Sequence, residues 1–92
     1  MDNYEIEQTL LGKFIVEPEL IDKYSQLVHE NLFEFEFNKS TYHAIMDLKG
    51  KNKTIDILTV SKLIKGDKVV LHLSKMTDKA FDFMEVLTCI SV

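Results

Sequence analysis

Glu5-Ile6-Glu7-Gln8-Thr9-Leu10-Leu11-Gly12-Lys13-Phe14-Ile15-Val16 is the stretch whose reading decides the fold. At 3.6 residues per turn, Ile6, Leu10, Leu11, Phe14 and Ile15 cover about half the helix circumference, wider than the roughly 100° stripe of an ordinary surface helix. Such a helix must be covered from more than one side, which makes it the hub of the chain. Glu5, Glu7, Gln8 and Lys13 form its expected polar edge. Gly12 leaves a gap in the side-chain row. Because an interior glycine costs a helix roughly 0.5–1 kcal/mol relative to alanine, a close backbone approach is expected there.

The rest of the chain supplies the covering layers. Asp2 is placed to cap the first helix, with Glu5 three residues on as in a capping box, and Pro18 ends that helix and opens a second. In the second helix Leu20, Tyr24, Leu27 and Val28 share a stripe, with Ile21 at its edge. Residues 32–37 alternate with period two, and 54–60 and 69–73 are rich in β-branched residues, so periodicity alone leaves a small α+β fold open. Capping chemistry favours helices. Asn38, Asp56 and Thr77 each stand as candidate N-caps with apolar residues placed for a hydrophobic staple (Phe37 with Tyr42, Ile55 with Val60, Met76 with Phe81). Gly50 and Gly66 would stop helices over 39–49 and 57–65. A short helix from Asp67 to Lys75 and a last one from about Asp78 complete an all-α, compact bundle of about six short helices. Phe33, Phe35 and Phe37 then form an extended connector that plugs the core.

The final helix is apolar on most sides. If it lies at the surface it exposes Phe81, Val86 and Cys89, which makes these the candidate self-association residues.

Composition narrows the function classes. The 92 residues, 46% apolar and 28% charged, are read as one domain over 1–92, with no run long enough for a membrane span and a cytoplasmic location as the default. The net charge of −4 is uneven: residues 1–36 hold nine acids against Lys13 and Lys23, and 37–68 hold seven lysines against Asp47, Asp56 and Asp67. Arginine is absent, so specific reading of DNA is not expected, and the lysine cluster reads as a solvated face. Cys89 is the single cysteine. His29, His43 and His72 lack metal-ligand spacing, no glycine lies in a phosphate loop, and no serine sits in a nucleophile turn. His43 is read as a solvated helix-face partner of Asp47. Neither an enzyme, nor a cofactor, nor a metal centre is expected.

Three segments together resemble the amino-terminal domain of DnaB-type replicative DNA helicases. Glu5 to Gly12 followed by Pro18 resembles the family's opening Glu-x-Glu-Gln-x-Val/Leu-Leu-Gly and its proline. Phe33 with Tyr42, Ala44, Ile45 and Leu48 falls at family spacing. Ile55-Asp56-Ile57-Leu58-Thr59-Val60 with Leu63 is similar to Ile/Val-Asp-x-x-Thr-Val-x-x-x-Leu, and His72-Leu73-Ser74-Lys75-Met76 to Tyr-Leu-x-x-Leu. Departures are Asn38 where histidine is common, a shortened link between Leu63 and His72, and no counterpart of the family's helical hairpin, linker and ATPase domain.

The resemblance implies a non-catalytic head that supports the hexamer collar and docks the primase carboxy-terminal domain or a helicase loader. Glu5 and His72 match positions of the primase-contacting surface, with His72 replacing an aromatic residue. A monomer or weak dimer is expected, since the hairpin that strengthens pairing in the family has no counterpart. The alternative is a free-standing phage or plasmid regulator that mimics the head and sequesters primase or loader.

Overall fold

The computed structural model describes residues 2–90, with side chains through 89. Six α-helices are present, α1 (Asn3–Val16), α2 (Leu20–Tyr24), α3 (Glu36–Gly50), α4 (Ile57–Ser61), α5 (Val69–Asp78) and α6 (Phe83–Ile90), with 3-10 turns at Glu30–Leu32 and Ala80–Asp82. No strand occurs among the described residues, so the fold is all-α and the period-two pattern of 32–37 is not a strand.

The hub expectation holds. α1 packs against α3, α5, α6 and the Ala80–Asp82 turn, and every residue from Glu7 to Gly12 is buried. Its start is capped by Asp2, whose Oδ1 accepts the Glu5 amide at 2.8 Å. Gly12 is the crossing point of α5: a Cβ there would lie 2.5 Å from the Met76 carbonyl carbon and 3.1 Å from the Thr77 nitrogen. Only a bare α-carbon lets the two backbones meet so closely. Leu10, Leu11, Leu73 and Met76 fill the core around this crossing. Phe83, at the head of α6, joins it to α1 and α2 through Phe14 (6.5 Å between ring centroids) and Tyr24 (5.2 Å).

The polar edge assigned to α1 is partly wrong. Glu7 is only 2% exposed, and Gln8 is buried beside it. One Glu7 oxygen accepts the Glu34 amide at 3.1 Å, and the other accepts the Asn38 Nδ2 at 3.2 Å and the Phe35 amide at 3.5 Å. The carboxylate thus satisfies backbone donors at the start of α3, where the helix dipole also favours a negative charge. Asn38 is therefore not an N-cap. It lies within the first turn of α3, whose N-cap Phe35 has no side-chain capping bond, because α3 begins before Asn38 and Glu7 supplies the acceptor from another helix. Asn38 Oδ1 is buried with no partner among the described residues. Turning the amide over would set that oxygen against the carboxylate, so the orientation follows from charge.

Other boundaries moved for local reasons. α2 is five residues long, and Ile21 and Val28 rather than Leu27 enter the core. Of the connector rings only Phe33 is buried; Phe35 is exposed and Phe37 belongs to α3. Gly50 lies inside α3, and the left-handed residue that turns the chain is Asn52 (φ 55°). Asp56 caps α4 as expected, in a full capping box with Thr59. α4 nevertheless stops at Ser61, short of Gly66, which takes a positive φ of 133° in the following loop. Thr77 is not an N-cap: α5 continues through it to Asp78, and its hydroxyl donates to the Ser74 carbonyl at 2.8 Å. His43 pairs with Glu30 (3.0 Å) instead of Asp47, which Lys51 takes at 3.1 Å.

Candidate functional site

The α1–α5 crossing at Gly12 leaves a groove on the amino-terminal side of α1. Its volume is about 420 Å³, and Tyr4 and Gln8 of α1 line it with His72, Lys75, Asp78 and Lys79. The groove is open at the surface, and Tyr4, His72, Lys75 and Asp78 are all exposed.

Its floor is held by a short polar chain. Lys79 Nζ donates to Gln8 Oε1 at 3.0 Å, and Gln8 Nε2 donates to the Tyr4 hydroxyl at 2.7 Å. The Lys79 ammonium also lies 5.8 Å from the Tyr4 ring centroid, within cation–π range. Tyr4 meets Phe35 edge to face, with centroids 5.0 Å apart and planes at 84°, and the His72 ring lies 5.2 Å from Phe37. Phe35, the N-cap of α3, and Phe37, half-buried against the core, thus support the groove from the start of α3.

One of the two expected contact residues lies in the groove. His72 lines the groove. Glu5 is exposed on the first turn of α1, next in sequence to Tyr4 but not itself a lining residue. Sequence reading missed Tyr4, Lys75 and Lys79. The spacing His72, Lys75, Lys79 places three residues on one face of a helix. That signal was hidden by ending the helix at Lys75 and treating Thr77 as a new cap.

The candidate self-association set divides. Phe81 is 83% exposed and Cys89 is exposed, whereas Val86 is fully buried against α1 and is not a surface residue. Val86 turns inward because α6 runs back along α1, putting Phe83 and Val86, three residues apart, on its inner face. Met84, which was not singled out, takes its place on the outer face at 69% exposure.

On the other side of the crossing, Ile15, Val16, Asp56, Ile57, Leu58 and Thr77 line a mainly apolar groove of about 400 Å³, with Leu58 64% exposed. Among the described residues no group of three His, Cys, Asp or Glu side chains could hold a metal ion, and no helix is long and apolar enough to cross a membrane. Burial, and secondarily the charge of Glu30, raises the pKa of Tyr42 above that of a free phenol. It lies against Phe33, with ring centroids 4.9 Å apart, and takes no part in the groove.

A family model described as DnaB-like helicase N terminal domain matches residues 1–85. No curated protein and no solved structure matches the chain.

Proposed function

The chain belongs to the family of DnaB-like helicase N-terminal domains, and from that premise we propose that it is a docking head of a replicative DNA helicase, engaging the primase carboxy-terminal domain. Family membership carries a helicase-related role for a non-catalytic domain. The docking reading goes further and rests on one observation: His72, at a position matched to the family's contact surface, lines an open groove beside Tyr4, and Glu5 is exposed next to it. The ring of His72 retains an aromatic face there, supported by Phe37.

The test is a calorimetric titration of this chain with the carboxy-terminal domain of the primase from the same source, at moderate salt. Saturable one-site heat that is lost in Glu5→Lys or His72→Ala supports the reading. No heat at high micromolar concentration removes primase as the partner and turns the same experiment to a helicase loader.

Support of the collar is the second part of the proposal, carried by Phe81 and Met84 on the outer face of the last two turns. Sedimentation equilibrium should show a weak dimer that Phe81→Asp and Met84→Asp dissolve without loss of helical spectrum. A wild-type chain that stays monomeric at millimolar concentration would exclude it.

A further inference from the structure

We infer that the groove between α1 and α5 selects an acidic peptide segment carrying an adjacent apolar side chain, its carboxylates meeting Lys75 and Lys79 and its apolar residue resting on the Tyr4–Phe35 ledge. This rests on the docking reading for the identity of the protein that presents the segment, but not for the chemistry of the groove.

The chain carries 15 acids against 11 lysines, yet the groove lining reverses that balance, with Lys75 and Lys79 against Asp78 alone. Among the described residues Lys13, Lys49 and Lys51 are the lysines paired with carboxylates, at 2.6, 2.8 and 3.1 Å. Lys75 and Lys79 make no ion pair among the described residues. The bond Lys79 does make is to the neutral oxygen of Gln8, so its charge is held in place but not neutralised. A half-buried, positioned ammonium with no counter-ion favours an incoming carboxylate through a charge-assisted hydrogen bond.

Beside Lys79, whose ammonium lies over the Tyr4 ring, Tyr4 and Phe35 present a partly exposed edge-to-face pair, a ledge for an apolar side chain. Asp2 and Glu5 lie close to Tyr4 in sequence and Glu34 and Glu36 flank Phe35, all four exposed. These carboxylates decide against a nucleic-acid strand. A phosphate backbone drawn to the lysines and stacked on the ledge would run past four like charges, and arginine is absent. A peptide can set its carboxylates on the lysines and turn an uncharged side chain to the ledge.

The test is nuclear magnetic resonance titration of the isotope-labelled full chain with three probes at low and at high salt: a short peptide of Glu with Leu and Phe, the same peptide with Lys for Glu, and oligo-dT. The acidic peptide is expected to bind saturably and shift the amides of Tyr4, His72, Lys75 and Lys79. Lys75→Glu, an exposed change that leaves the fold intact, should weaken it about tenfold, Lys79→Gln should weaken it less, and high salt should weaken the wild type. Equal binding of the basic peptide, preference for oligo-dT, shifts mapping to another face, or no saturation at millimolar peptide would each overturn the inference. Running the primase domain beside the peptides separates the two proposals. Primase binding without acidic-peptide binding sinks the groove chemistry and spares the docking head. Acidic-peptide binding without primase binding does the reverse.

Discussion

Replacing Gly12 by alanine tests the crossing on which both the core and the groove depend. The added Cβ would stand 2.5 Å from the Met76 carbonyl carbon, about 1 Å inside the roughly 3.5 Å at which two carbons rest. The obstacle is backbone in the last turn of α5, so no side-chain rotation relieves it. α5 must retreat, and Leu73 and Met76, both fully buried, must retreat with it. Overpacking of this kind costs ~1–3 kcal/mol, and a rigid obstacle puts it at the upper end. Alanine returns ~0.5–1 kcal/mol of helix stability. The net loss is therefore about 2 kcal/mol, a fall in Tm of roughly 8–16 °C for a domain of this size. Thermal and urea unfolding followed by circular dichroism measure it. Gly50→Ala is the control, since its Cβ meets nothing within 4 Å, and it should be neutral or slightly stabilising. Equal or raised stability of Gly12→Ala would mean that α5 does not cross there.

Three further expectations concern residues whose roles the packing defines. Asn38→Asp sets a second buried carboxylate against Glu7 and should cost about 3–5 kcal/mol in urea unfolding, whereas a helix-capping Asn38 would accept aspartate with little loss. Asp56→Ala removes the capping box of α4 and should cost ~1 kcal/mol in the same assay, with an unchanged value showing that the cap is idle. For Tyr42, whose pKa is raised by burial and then by Glu30, the folded state holds the phenolic proton more tightly than the unfolded state. The associated stability is complete below the free-phenol value of about 10 and is lost as pH rises through the higher folded value. Unfolding measured on either side of that value should fall more steeply in wild type than in Tyr42→Phe; identical slopes would refute the raised pKa.

Those elements that sequence made legible are the ones fixed by short-range rules. The width of the apolar face of residues 6–15 identifies α1 as the hub, Gly12 marks the close approach, and Asp2 and Asp56 cap where their side chains reach their own helix. What was illegible depends on groups far apart in sequence. Glu7 reads as solvent-facing on any helical projection, because the amides that draw it inward lie 27 and 28 residues away. That same carboxylate removes the need for a local cap at Asn38, which is why the capping rule misplaced the start of α3. At the other end, Thr77 has the composition of a cap, but α5 runs past it because burial of Met76 on Gly12 and of Leu73 in the core outweighs a threonine's preference for a helix start. The candidate site was half visible: Glu5 and His72 came from the family resemblance, while Tyr4, Lys75 and Lys79 needed the full length of α5 and its angle to α1.

The most direct measurement is amide shift mapping of the labelled chain during addition of the primase carboxy-terminal domain. A docking head of the kind proposed should show saturable shifts clustered on Tyr4, Glu5, His72 and Lys75, with α4 undisturbed. Shifts confined to α4 and the apolar groove around Leu58, or no shifts at saturating primase, would contradict it.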